Sequence, residues 1–518
     1  MCADPRMYQG KTPNFRILAA KYPDTFGRLS CDSVSDDGGY EAKIDFQIPD
    51  AVRCLAETLL KDDFDLHVSF SPINLCPMIP NRLAYIAVIQ DLLVWSLPTW
   101  HLLRHFTDSQ SSSNREATGR VSVRGLDIGT GASAIYPILG LACFPAWEFT
   151  ATDVDKSSLA YAQEHVVDHP GNESIGRRVK LVQAKPDDPY IPIEEEAVAK
   201  ETQSVVGEAG RQEEKEFDFV MCNPPFYSSP EEMNLSASFK KRPANAICHG
   251  TSSEMVTRGG ELSFVRRMVS ESITTNSKVL WWTCLLGKLS SVIALAGELK
   301  KLSGEAKVFT WGVSELPTGG GKTRRWVILW SVLPLRICDS LSRGILPASL
   351  DKLKPPSGER RSKKYELGPA WTRKELFEVV REMLRELDGC HIFPSAYSRF
   401  DTVHSQPRGD NCREGELGAS TFRMEEVSGA LDVVLTAESW TRRARRAKAR
   451  SEGASSMQHI STEPLLIARI SVSEFDVGKH TGLWLKACWT YGKDSVKFES
   501  FASFLLGAID RKVASSTG

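Results

Sequence analysis

No C-x-x-C pair occurs among the 12 cysteines, which are scattered along the 518 residues. A disulfide framework is therefore not expected in a chain of this size, and reduced thiols in an intracellular compartment fit better. No Cys/His spacing suited to zinc appears, so no metal is expected. Net charge is almost nil, −1 at pH 7, so only local patches could favour a polyanion. The opening stretch MCADPRMYQGKTPNF lacks the apolar core of a signal peptide. The apolar segments read as shorter than the ~20 residues a membrane span needs. No repeat of a solenoid period is present. These absences leave a soluble globular protein, 42% hydrophobic and 25% charged, with no membrane partner expected. At roughly 100–200 residues per domain it has room for two or three domains.

What is present alternates. Leu83–Leu93 has the apolar spacing of a helix. VSVRGLDIG reads as a strand entering a glycine turn, WEFTATD as a strand, KSSLAYAQEHVVDH as a helix and RVKLVQA as a strand. After an acidic excursion at Glu194–Glu216 come the strand FDFVMCNPP, the helix ELSFVRRMVSESI and the strand KVLWWTCLL. The helix LSSVIALAGELKKL and the strands AKVFTWG and RRWVILWSVL complete the run. Such alternation predicts a parallel sheet with helices on both faces. The stretch LDKLKPPSGERRSKK reads as a linker, and equally as a nuclear address. Beyond it WTRKELFEVVREMLREL, three strands and FESFASFLLGAI predict a separate α+β domain. The expected division is an arm and extension at 1–75, the α/β domain at 76–335, a linker at 336–370 and the α+β domain at 371–518.

Three motifs carry chemistry. In GLDIGTGAS, Asp127-x-Gly129-x-Gly131 lets the chain turn tightly and brings backbone against a ligand; a plain structural turn is the alternative. Asp153, 22 residues after Gly131, ends the next strand, where an acid can accept both ribose hydroxyls of a nucleoside. Asp155 suits the competing role of helix N-cap better. The third motif is Asn223-Pro224-Pro225-Phe226, at the carboxyl end of a buried strand. The Asn223 amide oxygen and the Pro224 carbonyl form a pair of acceptors matched to the two donors of an exocyclic amino group. Phe226 offers a flat face to a base that has left its stack. An adenine amino group is a poor nucleophile until hydrogen bonds draw its nitrogen out of conjugation, and positioning supplies most of the remaining catalysis. By contrast TGGGKT at Thr318–Thr323 is no phosphate loop, because position 316 holds Leu where the pattern needs Gly.

Basic residues recur with aromatics in the arm (Arg6, Tyr8, Lys11, Phe15, Arg16, Lys21, Tyr22), in FKKRP, at Lys288 and in GKTRRW, as an RNA track would require. WTRRARRAKAR packs six basic residues into eleven and reads as a helix charged all round, with Arg442, Arg443, Arg445 and Arg446 as candidate RNA contacts. A partner-binding surface is the competing account.

With KTPNFRILAAKYPD, PNRLAYI, LDIGTGASAIYPILG, TATDVD, MCNPPF, RGGELSFVRRMVSES and GKTRRWVILWS, the chain resembles the eukaryotic U6 snRNA adenine-N6 methyltransferases of methyltransferase-like 16 type, akin to the bacterial 23S rRNA adenine-N6 methyltransferase F. The resemblance spans most of residues 5–335; beyond 370 it rests on position and element order. It implies a Rossmann-like class I methyltransferase sheet, S-adenosyl-L-methionine as cofactor, and cofactor contacts at Arg82, Gly129, Ser133, Asp153 and Asn223. It implies RNA contacts from the arm (Pro13, Asn14, Phe15), the loop with Lys240, Lys241 and Arg242, the GKLSS loop with Lys288, and GKTRRW with Lys322 and Arg325. Three departures stand out: Asp153 where relatives often carry Glu, KPDDPYIP at 185–192 where they carry a Lys-Thr pair, and Tyr227 for a second Phe. The expectation is an enzyme that methylates N6 of an adenosine in structured RNA, U6 snRNA first, in the nucleus with a cytoplasmic pool also allowed. The rivals are a DNA-adenine or protein-glutamine methyltransferase and a non-catalytic RNA-binding protein that senses the cofactor.

Overall fold

Two of the most apolar stretches of the chain, Val279–Leu286 and Trp326–Ser331, hold too few polar residues for a strand with one wet face, and every residue of both is buried. They are neighbours inside a seven-stranded sheet. The computed structural model describes residues 3–9, 11–34, 40–108, 122–192, 217–238, 250–275, 278–316, 324–342, 353, 361–365, 371–395, 430–450, 463–477 and 480–516. The chain divides into two units: 1–90 with 122–333 and 344–354, and 91–121 with 334–343 and 355–518.

The first unit opens with the short helices Phe15–Lys21 and Phe26–Leu29, the antiparallel pair β1 (Ser30–Val34) and β2 (Tyr40–Ile44), and the helix Pro49–Phe64. Its sheet comprises β3 (Val123–Ile128), β4 (Trp147–Asp153), β5 (Val179–Gln183), β6 (Phe217–Cys222), β7 (Val279–Leu286), β8 (Thr310–Glu315) and β9 (Trp326–Ser331). The order is β5-β4-β3-β6-β7-β9-β8, which steps outward from β3 in both directions. The first five strands pair in parallel, as the alternation predicts. β9 runs antiparallel to β7 and β8. The reversal follows from connection length: ten residues separate Glu315 from Trp326, fewer than the dozen or so a parallel crossover needs.

One face of the sheet packs the helices Gly260–Thr274 and Leu289–Gly304 through Val265, Met268, Val292 and Leu295 onto Ile128, Val220, Trp282 and Trp330. The other gathers Trp147, Phe149 and Phe219, with the helix Ile135–Cys143 laid so close that a side chain on Gly140 would strike Phe149 at 2.8 Å. The helix Ile79–Asp108 is longer than the sequence reading allowed, because Pro98 interrupts its hydrogen-bond ladder without ending it. Its stretch Ile79–Arg104 is long and apolar enough to cross a membrane by length and composition, yet 67% of its most apolar window is buried inside the protein, as a core helix requires. Residues up to Gln90 belong to the first unit and those from Asp91 to the second.

The second unit is built on β10 (Arg361–Tyr365), β11 (Cys390–Pro394), β12 (Ala430–Leu435), β13 (Leu466–Val477) and β14 (His480–Tyr491), antiparallel throughout in the order β10-β14-β13-β12-β11. Alternation sorts its residues. Leu431, Val433, Leu435, Leu466, Ala468 and Ile470 meet the helices Arg373–Arg385 and Ser495–Ser516, while Val434 and Ile467 pack with Leu102 and Leu103. Asp432 and Arg469 are register partners and form an ion pair at 2.8 Å, each side chain only 3% exposed. The Arg469 guanidinium lies 5.3 Å from the Trp95 ring. Within the stretch read as linker, Arg361–Tyr365 forms the edge strand β10. Its sequence, RSKKY, is charged as protected sheet edges are, which is why apolar patterning does not reveal it.

Candidate active site

Strand register brings the sequence motifs together. Ile128 on β3 lies opposite Thr152 on β4 and Cys222 on β6. One residue further, at the same carboxyl end of three adjacent parallel strands, come Gly129, Asp153 and Asn223. This is the crevice where open α/β sheets bind ligands.

On the β3 side the turn is pinned from below. Gly129 N and Thr130 N both donate to the Thr152 carbonyl, at 2.8 and 3.0 Å. Gly129 and Gly131 take φ +73° and +65°, a region other residues reach only with strain, and the space a side chain on Gly129 would fill is open. Ser133, half-buried, ends the single 3-10 turn Gly131–Ser133. Asp153 accepts from Gly131 N at 2.8 Å and from Asp155 N at 2.9 Å, one bond on each oxygen, so each keeps a further acceptor direction. Burial first, against those two backbone bonds, raises its pKa. Asp155 caps the helix Lys156–Ala162 through Ser157 N, as expected of it. Beside Asp153, Val154 leaves 46% of its surface exposed. Arg82 donates to the Tyr136 hydroxyl at 2.8 Å and lies 5.4 Å from that ring.

Asp127 lies beneath the turn, 1% exposed, with neither oxygen hydrogen-bonded. Burial first, with the Asp153 charge adding to it, pushes its carboxyl up to about 7, despite partial relief from the Thr130 hydroxyl and the Arg82 guanidinium nearby. Because an unfolded Asp titrates near ~3.9, the folded chain holds an extra proton between about 4 and 7. Stability is therefore full below that window and falls as pH rises through it. Asp127→Asn, neutral at every pH, is expected to raise the melting temperature at pH 8 and narrow the gap between pH 5 and pH 8, read by thermal melts. Asp153 stays in that variant and keeps a residual slope of the same sign.

The β6 side is equally fixed. The buried Tyr85 hydroxyl bonds Thr283 Oγ1 at 2.7 Å, Thr283 donates to the Val220 carbonyl at 2.8 Å, and Cys222 N donates to Tyr85 at 3.4 Å, just before Asn223. Asn223 Oδ1 is buried without a hydrogen-bond partner. Pro224 is buried, and Pro225 and Phe226 are half-buried. The Arg325 guanidinium is 5.5 Å from the Phe226 ring. Tyr227 bridges to Val256 through Tyr227 N–Met255 O (3.1 Å) and Thr257 N–Tyr227 O (2.9 Å). Lys288 pairs with Glu232 at 2.6 Å and lies 5.5 Å from the Tyr227 ring. That pairing first, with the Ser228 hydroxyl, holds Glu232 down to about 2.

Sequence reasoning missed several supports. Glu254 closes a capping box with Thr251, accepts from Leu75 N at 3.1 Å and Asn74 Nδ2 at 3.3 Å, and faces Gly131. The loop at 185–191 is held by the helix Gly260–Thr274: Glu271 accepts from Tyr190 N and Ile191 N, both at 2.9 Å, and Arg267 donates to the carbonyls of Pro186 and Asp188. Local sequence does not mark these residues, because their partners lie about 80 to 180 residues away along the chain.

The family described as RNA methyltransferase matches residues 3–334, nearly two thirds of the chain. The chain belongs to that RNA methyltransferase family. It is 35% identical over 301 residues to the U6 small nuclear RNA (adenine-(43)-N(6))-methyltransferase of Schizosaccharomyces pombe, covering 58% of this chain and 65% of that protein. It is 32% identical over 326 residues to the RNA N(6)-adenosine-methyltransferase METTL16 of Homo sapiens, covering 62% and 49%. The chain thus spans between about half and two thirds of these relatives. Among solved structures, the hMettl16 catalytic domain in complex with MAT2A 3'UTR hairpin 1 aligns at TM-score 0.47 and 30% identity, over 63% of this chain and 94% of that one.

In this member of the family the candidates from the three motifs and PNRLAYI, Arg82, Asp127, Gly129, Gly131, Ser133, Asp153 and Asn223–Phe226, come together in the first unit. The remaining candidates are placed separately. Asn14 caps the helix Phe15–Lys21 by accepting from Ile17 N at 3.2 Å, behind a half-buried Pro13. Phe15 packs 5.9 Å from Phe26 and 6.5 Å from Phe46. Arg442, Arg443, Arg445 and Arg446 are exposed on the helix Arg442–Arg450 of the second unit, with Arg445 5.0 Å from the Phe504 ring. Lys240, Lys241, Arg242 and Lys322 lie outside the described residues.

Proposed function

We propose that this chain transfers the methyl group of S-adenosyl-L-methionine to N6 of an adenosine in a structured RNA, with U6 small nuclear RNA as the first candidate, the substrate that the fission-yeast relative's name carries. The observation that carries the reading is the Asn223 amide oxygen. It is a buried acceptor with no partner of its own, one strand away from a glycine turn that leaves the space beside Gly129 open. Unmade hydrogen bonds of buried groups cost about 1–3 kcal/mol each. Four neighbouring groups carry them: Arg82 Nε, both Asp127 oxygens, Thr130 Oγ1 and Asn223 Oδ1. Such a concentration marks a place where ligand atoms complete the bonding.

The residues present fit the donor. The bound group supplies an electrophilic methyl on a positive sulfonium. Asp153 and Glu254 make its side of the site anionic, Arg82 is the cation placed for the amino-acid carboxylate, Asp153 has acceptor capacity left for the ribose, and Val154 gives the purine an apolar surface. On the other side, Asn223 Oδ1 and the Pro224 carbonyl accept the two N–H bonds of the target amine, which localises its lone pair. Phe226 stacks the base, and Arg325 and Lys288 bring positive charge to the backbone phosphates. Nuclear residence, with a cytoplasmic pool, is part of the same reading and is supported by the basic stretch before residue 366.

The test offers the purified chain labelled donor with RNA hairpins, duplex DNA and a glutamine-bearing peptide. Label is expected on N6 of adenosine in the hairpins alone. Transfer to DNA or peptide instead overturns the substrate, and donor binding without transfer to any of them overturns the enzyme.

A further inference from the structure

We propose that Glu261 is a positioning residue for the methyl-accepting pocket: its buried carboxylate fixes the Gly287–Lys288 backbone, and that backbone seats the Phe226 ring. The proposal rests on the role given to Phe226 above.

Glu261 is 1% exposed, in the first turn of the helix Gly260–Thr274. Both of its oxygens are used for one purpose. Oε2 accepts from Gly287 N at 2.9 Å and Oε1 from Lys288 N at 3.0 Å. No cation is paired with it among the described residues, so two backbone amides and the helix N-terminus carry the charge. A carboxylate in that setting is costly to bury, and a neutral side chain would cap one helix turn at lower cost. What the charge achieves is a rigid grip on a loop at the carboxyl end of β7, next to β6.

That loop touches the site twice. A side chain on Gly287 would stand 2.9 Å from Phe226 Cδ1 and Cε1, so the ring lies directly on this backbone. Lys288, the next residue, reaches Glu232 at 2.6 Å and the Tyr227 ring at 5.5 Å. The residue before Glu261 works in the same direction: a side chain on Gly260 would sit 3.5 Å from the Phe226 carbonyl and from Ser228 N. The pair Gly260-Glu261 therefore braces Phe226 from its backbone and, through Gly287, from its ring. Among the described residues the Glu261 carboxylate bonds neither the glycine turn nor Asp153, so it serves the acceptor and not the donor.

The variant is Glu261→Gln. It keeps the shape, but its NH2 faces a backbone N–H that it cannot accept. Small displacements of reacting groups cost up to about 10²-fold, so kcat on a hairpin RNA is expected to fall roughly 10- to 100-fold. Donor affinity by calorimetry should stay within about twofold. The deciding measurement is a double-mutant cycle with Phe226→Leu, since residues acting through one contact are not additive. In that background Glu261→Gln should change kcat by less than about threefold. An equal loss in both backgrounds, or donor affinity falling in step with kcat, overturns the proposal. Amide exchange at Gly287 and Lys288, and the fluorine resonance of 4-fluorophenylalanine placed at 226, are read on the same proteins without RNA. Both must change in Glu261→Gln, and an unchanged resonance overturns the proposal even if no RNA accepts methyl. A wild-type chain that transfers no methyl while these two readouts change would sink the proposed reaction and leave the grip on the ring standing.

Discussion

Asn223→Ala is expected to lower methyl transfer by about 10²–10³-fold, the scale seen when one preorganised polar contact to a reacting centre is removed, while leaving the melting temperature nearly unchanged. The two halves of this outcome have one cause. Asn223 Oδ1 makes no hydrogen bond within the protein, so truncation breaks none at that atom. It removes a buried acceptor whose unmet bond costs the folded state about 1–3 kcal/mol, which offsets the packing lost with the amide. For an adenine amine the same truncation removes one of two acceptors, and the nitrogen lone pair stays conjugated with the ring. Affinity for a hairpin RNA should change little. A variant that methylates at the wild-type rate would remove Asn223 from the chemistry. One that unfolds would show that the amide is structural after all.

The largest effect on stability is expected at Asp432→Ala in the second unit. Asp432 and Arg469 face each other across β12 and β13, both 3% exposed. Alone, each would be a charge in an apolar layer. Removing one partner of such a pair typically costs about 3–5 kcal/mol because the other charge is left buried. A domain of this size has only about 5–15 kcal/mol to lose. Calorimetric scans should show the transition of this unit moved far down or gone. The paired replacement Asp432→Leu with Arg469→Met should restore most of it, since a matched apolar pair of similar volume does not carry that penalty. A single variant that melts with the wild type would mean that Arg469 finds other compensation.

The same period-two alternation explains what was legible. In the second unit β12–β14 and both long helices follow directly from apolar spacing, and in the first unit the largely apolar β6, β7 and β9 could hardly be anything else. The glycine turn, Asp153 and Asn223–Phe226 were readable because each is a strand end followed by residues with unusual backbone or polar demands. What stayed hidden depends on partners far away in sequence. Glu261 looks like an ordinary acid in a first helical turn, and only the fold shows it holding residue 287. β8 begins at Thr310 and not at the Ala306 that the run AKVFTWG suggests, because Ala306 turns through φ +55° at the end of the preceding helix. β10 carries no apolar signal, and the N-terminal pair β1 and β2 and the helix Pro49–Phe64 were not anticipated.

The grip of Glu271 on Tyr190 and Ile191 reaches beyond the loop it holds. It fixes the chain just before residues 192–216, and β6 fixes it again at Phe217. A substitution at Glu271 would therefore be felt twice, at the loop it holds and in the approach of the chain to the strand that carries Asn223.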